Sequence, residues 1–480
     1  MEKKYIVRAI DYVNAKPHIG HAMEYVEADV FARYYKSQGC EVRLNVGVDE
    51  HGQKIWMTAR EAGKTPQEYC DFYAEKFKDL ASLLNIDYDY FIRTTEEKHK
   101  RIVQEAWKKV MAKGDIYKKE YEGLYCVGCE TFKQEKDLEE GKCPIHKVEP
   151  QVVREENYFF KLSQYNQEIL NWLSKNPEVV FPEARYNEIY NVVKDGLQDI
   201  SVSRAKSSLE WGVPVPGDDE QVMYVWFDAL LNYITGINYL EDNALFEKWW
   251  NDAEVMQILG KDIIRHHVAI WPGILLALGL KLPDMYFVHG FITSGGVKMS
   301  KSLGNIIDPL DLIDQYGVDA VRWFLIKEIP AGKDGDITHD RFNEVYESDL
   351  ANTLGNLFRR VMMLINKYEL DEYDGEAFDA DLPRYEQLFI KAMENYKLHD
   401  ACEVILDVLQ EGNQYIDEEA PWKSIKDDQD EAGECLWSLV RLLEWVAKKL
   451  EIFMPDTAEK MQSSLKNLEL GEVLFPKIED

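Results

Sequence analysis

The sequence predicts an α/β protein: a parallel sheet, split by a small cysteine-rich insertion and followed by an all-helical C-terminal part. Three observations predict it. Strand, helix and strand patterns follow one another between residues 5 and 49. Three of the seven cysteines fall within residues 126–143. Beyond about residue 340 the apolar spacing is helical to near residue 470.

The elements are justified in chain order. Residues 5–10, Tyr-Ile-Val-Arg-Ala-Ile, read as a short buried strand, and residues 11–17 as the loop after it. From His18 onward, Met23, Val26, Val30 and Tyr34 recur at helical spacing, and Gly39 supplies the left-handed stop. A second strand alternates Val42, Leu44, Val46 and Val48 and ends in Asp49-Glu50-His51-Gly52. That is a βαβ unit. Residues 116–221 change character, with the cysteine cluster, several tyrosines and short polar segments, so they read as an insertion with its own small core. Apolar density returns at Met223. Residues 255–259 and 285–289 read as further strands, with Gly260 turning into a helix that carries His266, His267 and Trp271. A Gly295-Gly296 loop then leads to Lys298-Met299-Ser300-Lys301-Ser302. Helices are expected at 349–367 and 431–453.

Composition narrows the class. At roughly 100–200 residues per domain, 480 residues predict about three domains. A hydrophobic share of 46% with 28 Gly and 16 Pro excludes disordered, collagen-like and low-complexity chains. The longest apolar run, residues 274–280, is too short for a bilayer span, and the charged start lacks the apolar core of a secretory signal, so a cytoplasmic protein is expected. The net charge of −31 speaks against a general affinity for nucleic acid but leaves room for a local basic stripe.

Ligands of open parallel sheets lie at the carboxyl ends of the strands. The loop after the first strand, Asp49 after the second and the Lys-rich loop after the late strand would all face that edge. His18-Ile19-Gly20-His21 opens a helix, where free N–H groups and the dipole favour an anion. Two imidazoles three apart share a helix face and can both donate to phosphate. Taken alone, the pair is as readily a helix start with no ligand. Lys298 and Lys301, with two hydroxyls, suit a polyphosphate; taken alone, the loop reads as a solvated basic turn. Cys126 and Cys129 are two residues apart, and Cys143 and His146 follow as a second pair after thirteen intervening residues. Two such pairs supply four ligands for tetrahedral Zn²⁺ at a structural site.

The His-Ile-Gly-His and Lys-Met-Ser-Lys-Ser motifs together resemble the class I aminoacyl-tRNA synthetases. The cysteine insertion resembles the zinc-knuckle connective domain of the methionyl-tRNA synthetase family, in the form with a single knuckle. So do residues 49–54, residues 224–229, Gly260-Lys261-Asp262-Ile263, Trp271-Pro272, Glu419-Ala420-Pro421-Trp422 and Leu474-Phe475-Pro476, so the likeness spans the chain.

The resemblance implies a Rossmann-type catalytic sheet (1–115 and 223–295), a zinc-binding connective insertion (116–222), a Lys-loop and stem-contact region (296–345) and an all-α anticodon-binding bundle (346–480). It implies that methionine is enclosed by Ala9, Ile10, Tyr12, Trp226, Ala229, Leu230, Tyr233, Ile263 and His267, with Asp49 on its ammonium group. Tyr12 and His267 could bond the sulfur or each other. His266 lies beside this pocket, where some members carry an aromatic residue. ATP, accompanied by Mg²⁺, would be met by His18, Gly20, His21, Gly260, Asp262, Lys298 and Lys301. Of these His18, His21, Lys298 and Lys301 would be catalytic. Asn356, Arg360 and Trp422 would meet the anticodon of the initiator and elongator tRNA(Met). The acidic residues around Trp422 would turn the RNA backbone toward Arg359, Arg360 and Lys367.

The implied activity is methionine–tRNA ligation through methionyl-adenylate. Cysteinyl-tRNA synthetase is the nearest enzyme alternative, and its separated metal ligands contrast with the compact knuckle. A non-catalytic tRNA-binding paralogue is the alternative from another class. Some members add a C-terminal oligonucleotide-binding-type domain that dimerises them; this chain ends four residues after Pro476, so a monomer is expected.

Overall fold

Lys3–Arg8 forms a central strand because its inner residues are fully apolar on both faces: Tyr5, Ile6 and Val7 are buried. The computed structural model describes residues 1–133, 135–298, 307–368, 381–426 and 428–478. The chain divides into two units, one of residues 1–17, 39–81 and 87–288, the other of residues 18–38, 82–86 and 289–480.

The first unit is built on a seven-stranded sheet. Its order is Asp11–Tyr12, Glu41–Asp49, Lys3–Arg8, Glu254–Gly260, Met285–His289 and Val180–Phe181, with Tyr90–Arg93 also on Glu41–Asp49. The described registers are parallel. A core of Trp107, Phe227, Leu230, Tyr233, Trp250 and Trp271 packs against it. Between its halves, Ile116–Cys126 and Gln151–Phe160 form a long antiparallel ladder, with Thr131–Lys133 and Ile200–Ser201 at its edges.

The first strand stops at Arg8, two residues earlier than the apolar run suggests. The Arg8 guanidinium forks onto the Asp11 carboxylate at 2.6 and 2.5 Å, both groups buried. This turns the chain across the sheet, so that Asp11–Tyr12 pairs with Val48 and Asp49. The segment after Gly260 also differs from a plain helix. Lys261–Ile263 is a 3₁₀ turn, His266–Ile270 a π-helical turn, and only Trp271–Leu278 is α-helical. Pro272 has no N–H to donate, so it belongs in the first turn of that helix.

The second unit is mostly helical, with a small sheet of Ile292–Ser294, Val297–Lys298 and Gly335–Asp336. Its helices include Ile19–Ser37, Val318–Glu328, Asn356–Tyr368, Leu398–Glu419 and Gln429–Phe453. Met23, Val26, Val30 and Tyr34 are all buried, as the spacing required. Arg322 ties this unit together. It is fully buried and donates to Asp29 at 2.6 Å and to the carbonyls of Leu84 at 2.8 Å and Phe453 at 2.9 Å. Among the described residues no helix is long and apolar enough to cross a membrane.

Candidate active site and metal knuckle

Sheet register places Tyr12 directly beside Asp49. Asp49 is 7% exposed and accepts from the His51 N–H at 3.3 Å. Burial pushes its carboxyl well above the usual range, and the nearby Asp228 carboxylate pushes it further. Asp228 is the opposite case. Burial alone would raise it, but His51 Nδ1 at 2.5 Å and His99 Nε2 at 2.8 Å hold it down at about 2. A buried carboxylate bracketed by two imidazoles therefore stands near one that favours its neutral form. An ammonium group would convert Asp49 to its charged form by direct pairing.

Most of the residues expected to enclose an apolar substrate are buried or half-buried in the first unit. Ala9 is buried and Ile10 half-buried at the end of the first strand. Ala229 and Leu230 are buried on the short helix Val225–Leu230, which also carries Trp226. Tyr233 and His267 are buried, and the Tyr233 hydroxyl lies 2.6 Å from His267 Nε2. His267 Nδ1 lies 2.9 Å from the Ile263 carbonyl, so it carries the proton and Nε2 accepts from Tyr233. The expected alternative of a Tyr12–His267 bond is not formed. Tyr12 donates to Glu130 at 3.0 Å, and His267 is taken up by Tyr233. His266 stacks on Trp226 with centroids 3.6 Å apart and planes at 15°. A separate cavity of about 430 Å³ is lined by Phe132, Phe159, Trp226, Asp262 and His266; it includes neither Asp49 nor Tyr12.

His18, Gly20 and His21 belong to the second unit, and Gly260 and Asp262 to the first. His18 caps its helix. Its Nδ1 accepts from the Gly20 N–H at 3.1 Å, while His21 Nδ1 accepts from the His18 N–H at 3.0 Å. Both rings therefore carry a proton on Nε2, and their centroids lie 3.8 Å apart with the planes tilted by 30°. Burial lowers His18 to about 4, so at neutral pH it is an uncharged donor. A Cβ on Gly20 would press on the His18 ring at 3.0 Å. In the first unit Gly260 is buried and Asp262 exposed. Lys298 ends the strand Val297–Lys298; its side chain and Lys301 lie outside the described residues.

The Cys126, Cys129, Cys143 and His146 ligand atoms lie within 4.8 Å of one another. Cys129 Sγ is 3.5 Å from Cys143 Sγ and 3.3 Å from His146 Nδ1, and Cys126 Sγ is 3.8 Å from His146 Nδ1. A tetrahedron with metal–sulfur bonds of about 2.3 Å has edges of about 3.8 Å, so the four groups fit one tetrahedral cation. Gly128 makes room for it: a Cβ there would meet His146 Cδ2 at 2.6 Å. The Gly128→Ala variant should bind metal at least tenfold more weakly, because the imidazole must leave its place, with the main fold intact. Competition with a chromogenic chelator measures this.

In the second unit, Arg360 lies over the Trp422 ring at 5.0 Å and pairs with Asp417 at 2.6 Å. Asn356 is exposed one helical turn before Arg360, and Trp422 is half-buried rather than a core residue. Arg360 is therefore occupied by one of the acidic groups expected to repel RNA.

A family model described as class I tRNA synthetases (M) matches residues 4–149 and 133–362, and one described as the anticodon-binding domain of methionyl tRNA ligase matches 371–480. The chain belongs to the methionyl-tRNA synthetase family. Its relatives in this family include the methionine–tRNA ligase of Caldanaerobacter subterraneus subsp. tengcongensis, 42% identical over 99% of this chain and 79% of that protein. Another is the chloroplastic/mitochondrial methionine–tRNA ligase of Arabidopsis thaliana, 43% identical over 90% of this chain and 72% of that protein. Among solved structures, the Mycobacterium tuberculosis methionyl-tRNA synthetase in complex with methionyl-adenylate matches with a TM-score of 0.91 at 35% identity, covering 100% of this chain and 98% of that one. The same enzyme in its free state matches with a TM-score of 0.84 at 31% identity.

Sequence reasoning missed Glu130, Asp228, His51 and His99 as parts of the site. His51 and Asp228 stand within the family-like stretches 49–54 and 224–229, and Glu130 follows Cys129 directly, which were the available signals.

Proposed function

We infer that this family member is a methionine–tRNA ligase. It activates methionine with ATP to methionyl-adenylate and pyrophosphate, then transfers methionine to the 3′ end of tRNA(Met), initiator and elongator alike. The observation that carries the reading is the buried Asp49 beside Tyr12, in a unit whose core is apolar and aromatic.

In the first step the methionine carboxylate attacks the α-phosphorus of ATP. A carboxylate O–P bond forms, and the P–O bond to the β-phosphate breaks, releasing pyrophosphate. The carboxylate is already ionised, so no general base is needed. Positioning and charge stabilisation supply the rate. Asp49 pairs with the substrate ammonium. Ala9, Ile10, Tyr12, Trp226, Ala229, Leu230, Tyr233, Ile263 and His267 surround the thioether, which suits polarisable aromatic walls. His18 and His21 donate Nε2–H to phosphate oxygens, Gly20 and Gly260 allow close approach, and Asp262 holds a ribose hydroxyl. Lys298 and Lys301 neutralise charge on the leaving pyrophosphate, where the Mg²⁺ that accompanies ATP would supply further positive charge. In the second step a terminal ribose hydroxyl of the tRNA attacks the adenylate carbonyl, the carbonyl C–O bond to phosphate breaks, and AMP leaves with the bonding electrons while the hydroxyl proton passes to its phosphate or to solvent.

Cys126, Cys129, Cys143 and His146 hold Zn²⁺. Three thiolates and one imidazole close its shell and make it structural. The division into catalytic halves 1–115 and 223–295, insertion 116–222, Lys-loop region 296–345 and bundle 346–480 follows the same reading, as does a cytoplasmic setting.

Asn356, Arg360 and Trp422 form the anticodon contact. Trp422→Ala is expected to lower kcat/KM for tRNA charging by roughly 5- to 100-fold, the worth of one stacked base, and to leave pyrophosphate exchange unchanged. Charging of tRNA(Met) transcripts with labelled methionine measures both the activity and this split. An equal loss in charging and exchange would contradict the assignment of Trp422 to RNA.

A further inference from the structure

Glu130 follows Cys129 directly. It sits in a left-handed backbone conformation with φ 48° and is 5% exposed. Its Oε1 accepts from the Tyr12 hydroxyl at 3.0 Å and from the Lys54 N–H at 2.7 Å. Its Oε2 accepts from the Tyr125 hydroxyl. Its carbonyl accepts from the Tyr224 hydroxyl and from the Trp226 indole N–H, the latter at 3.2 Å. A Cβ on Gly52 would collide with the Tyr12 hydroxyl and stand 3.1 Å from Glu130 Oε1, so the neighbouring turn is shaped around this bond.

One residue thus holds both Tyr12 and Trp226, and it follows directly on a candidate metal ligand. Its chemistry suits the task. A carboxylate only accepts, and every group aimed at it donates. Its left-handed conformation closes the turn that carries Cys129, with the Glu130 N–H donating to the Val127 carbonyl at 3.3 Å.

We propose that Glu130 is a positioning residue that transmits the metal loading of the knuckle to the shape of the methionine pocket. The metal holds Cys129, Cys129 fixes the Glu130 turn, and Glu130 holds Tyr12 and Trp226. The proposal rests on the methionine reading of that pocket.

The test is isothermal titration of the full chain with methionine, and separately with ATP, before and after chelation. The proteins are wild type, Glu130→Gln and Tyr125→Phe, with metal content measured for each. Chelation of wild type should weaken methionine binding about tenfold or more. Metal-loaded Glu130→Gln, whose amide turns a donor toward other donors, should keep its metal and bind methionine roughly 10- to 100-fold more weakly. Chelation should then weaken it little further. Tyr125→Phe removes one donor without touching the pocket and should cost several-fold. ATP affinity should hold throughout, which a general loss of structure would not allow. Wild-type methionine affinity in Glu130→Gln, indifference of wild type to chelation, or fully additive losses would overturn the coupling alone. Failure of metal-loaded wild type to bind methionine would overturn the pocket reading and the coupling with it. Where the stripped knuckle unfolds, wild-type methionine affinity in metal-loaded Glu130→Gln still overturns the proposal.

Discussion

Replacing Asp49 by asparagine is expected to raise the KM for methionine by roughly 100-fold or more in pyrophosphate exchange, with the KM for ATP within about twofold of wild type. The side chain keeps its shape and loses only its charge, so the loss isolates the pairing with the ammonium group. The same residue gives the pH dependence. Burial first, then Asp228, raises the Asp49 carboxyl well above its usual value, with Glu130 and Glu50 adding to the push and the His51 N–H opposing it. Only the ionised form holds an ammonium group. The KM for methionine should therefore rise as pH falls, starting well above the ordinary carboxylate pKa of about 3.9. Stability has the opposite sign. An acid whose pKa is raised by folding costs stability as pH rises through the interval between its unfolded and folded values. Asp49→Asn should thus melt at the same temperature as wild type or higher at neutral pH, while losing its substrate. A matching loss of stability would mean that Asp49 is a structural group.

Arg322→Ala is expected to carry the largest stability cost. It leaves the buried Asp29 carboxylate without this partner and strips donors from the Leu84 and Phe453 carbonyls. Breaking a buried pair from one side costs about 3–5 kcal/mol. For a unit of this size that lowers the melting temperature by roughly 10 °C. Arg322→Lys should recover little, because an ammonium on a flexible stem cannot reproduce the fork onto three separate acceptors. Differential scanning calorimetry of both variants checks this. A change within about 2 °C would contradict the account of how the second unit is held.

What was legible in the sequence was local. The strand Met285–His289 and the helix Gln429–Phe453 lie where apolar spacing puts them, because period is a property of neighbouring residues. The four knuckle ligands come together because two short pairs need only one reverse of the chain. What was not legible depends on distant partners. Asp228 meets His51 across 177 positions and His99 across 129, and no spacing rule links them. The Arg8–Asp11 fork is only three residues long, yet its effect, turning Tyr12 onto Asp49, depends on a strand more than thirty residues further along. The possible Tyr12–His267 bond was chemically sensible. It fails because Glu130 and Tyr233 supply better-placed partners, which the tertiary fold alone decides. Arg360 and Trp422 were singled out through the family resemblance; the placement of Arg360 over the Trp422 ring and its pair with Asp417 depend on the tertiary fold.

The Asp49 pocket is proposed to accept methionine and to present its carboxylate to ATP. ATP–pyrophosphate exchange without tRNA, run with methionine and with cysteine in parallel on metal-loaded protein, tests it most directly. Exchange should depend on methionine and be absent with cysteine. Exchange with cysteine, or none with methionine in folded, metal-loaded protein, would contradict it.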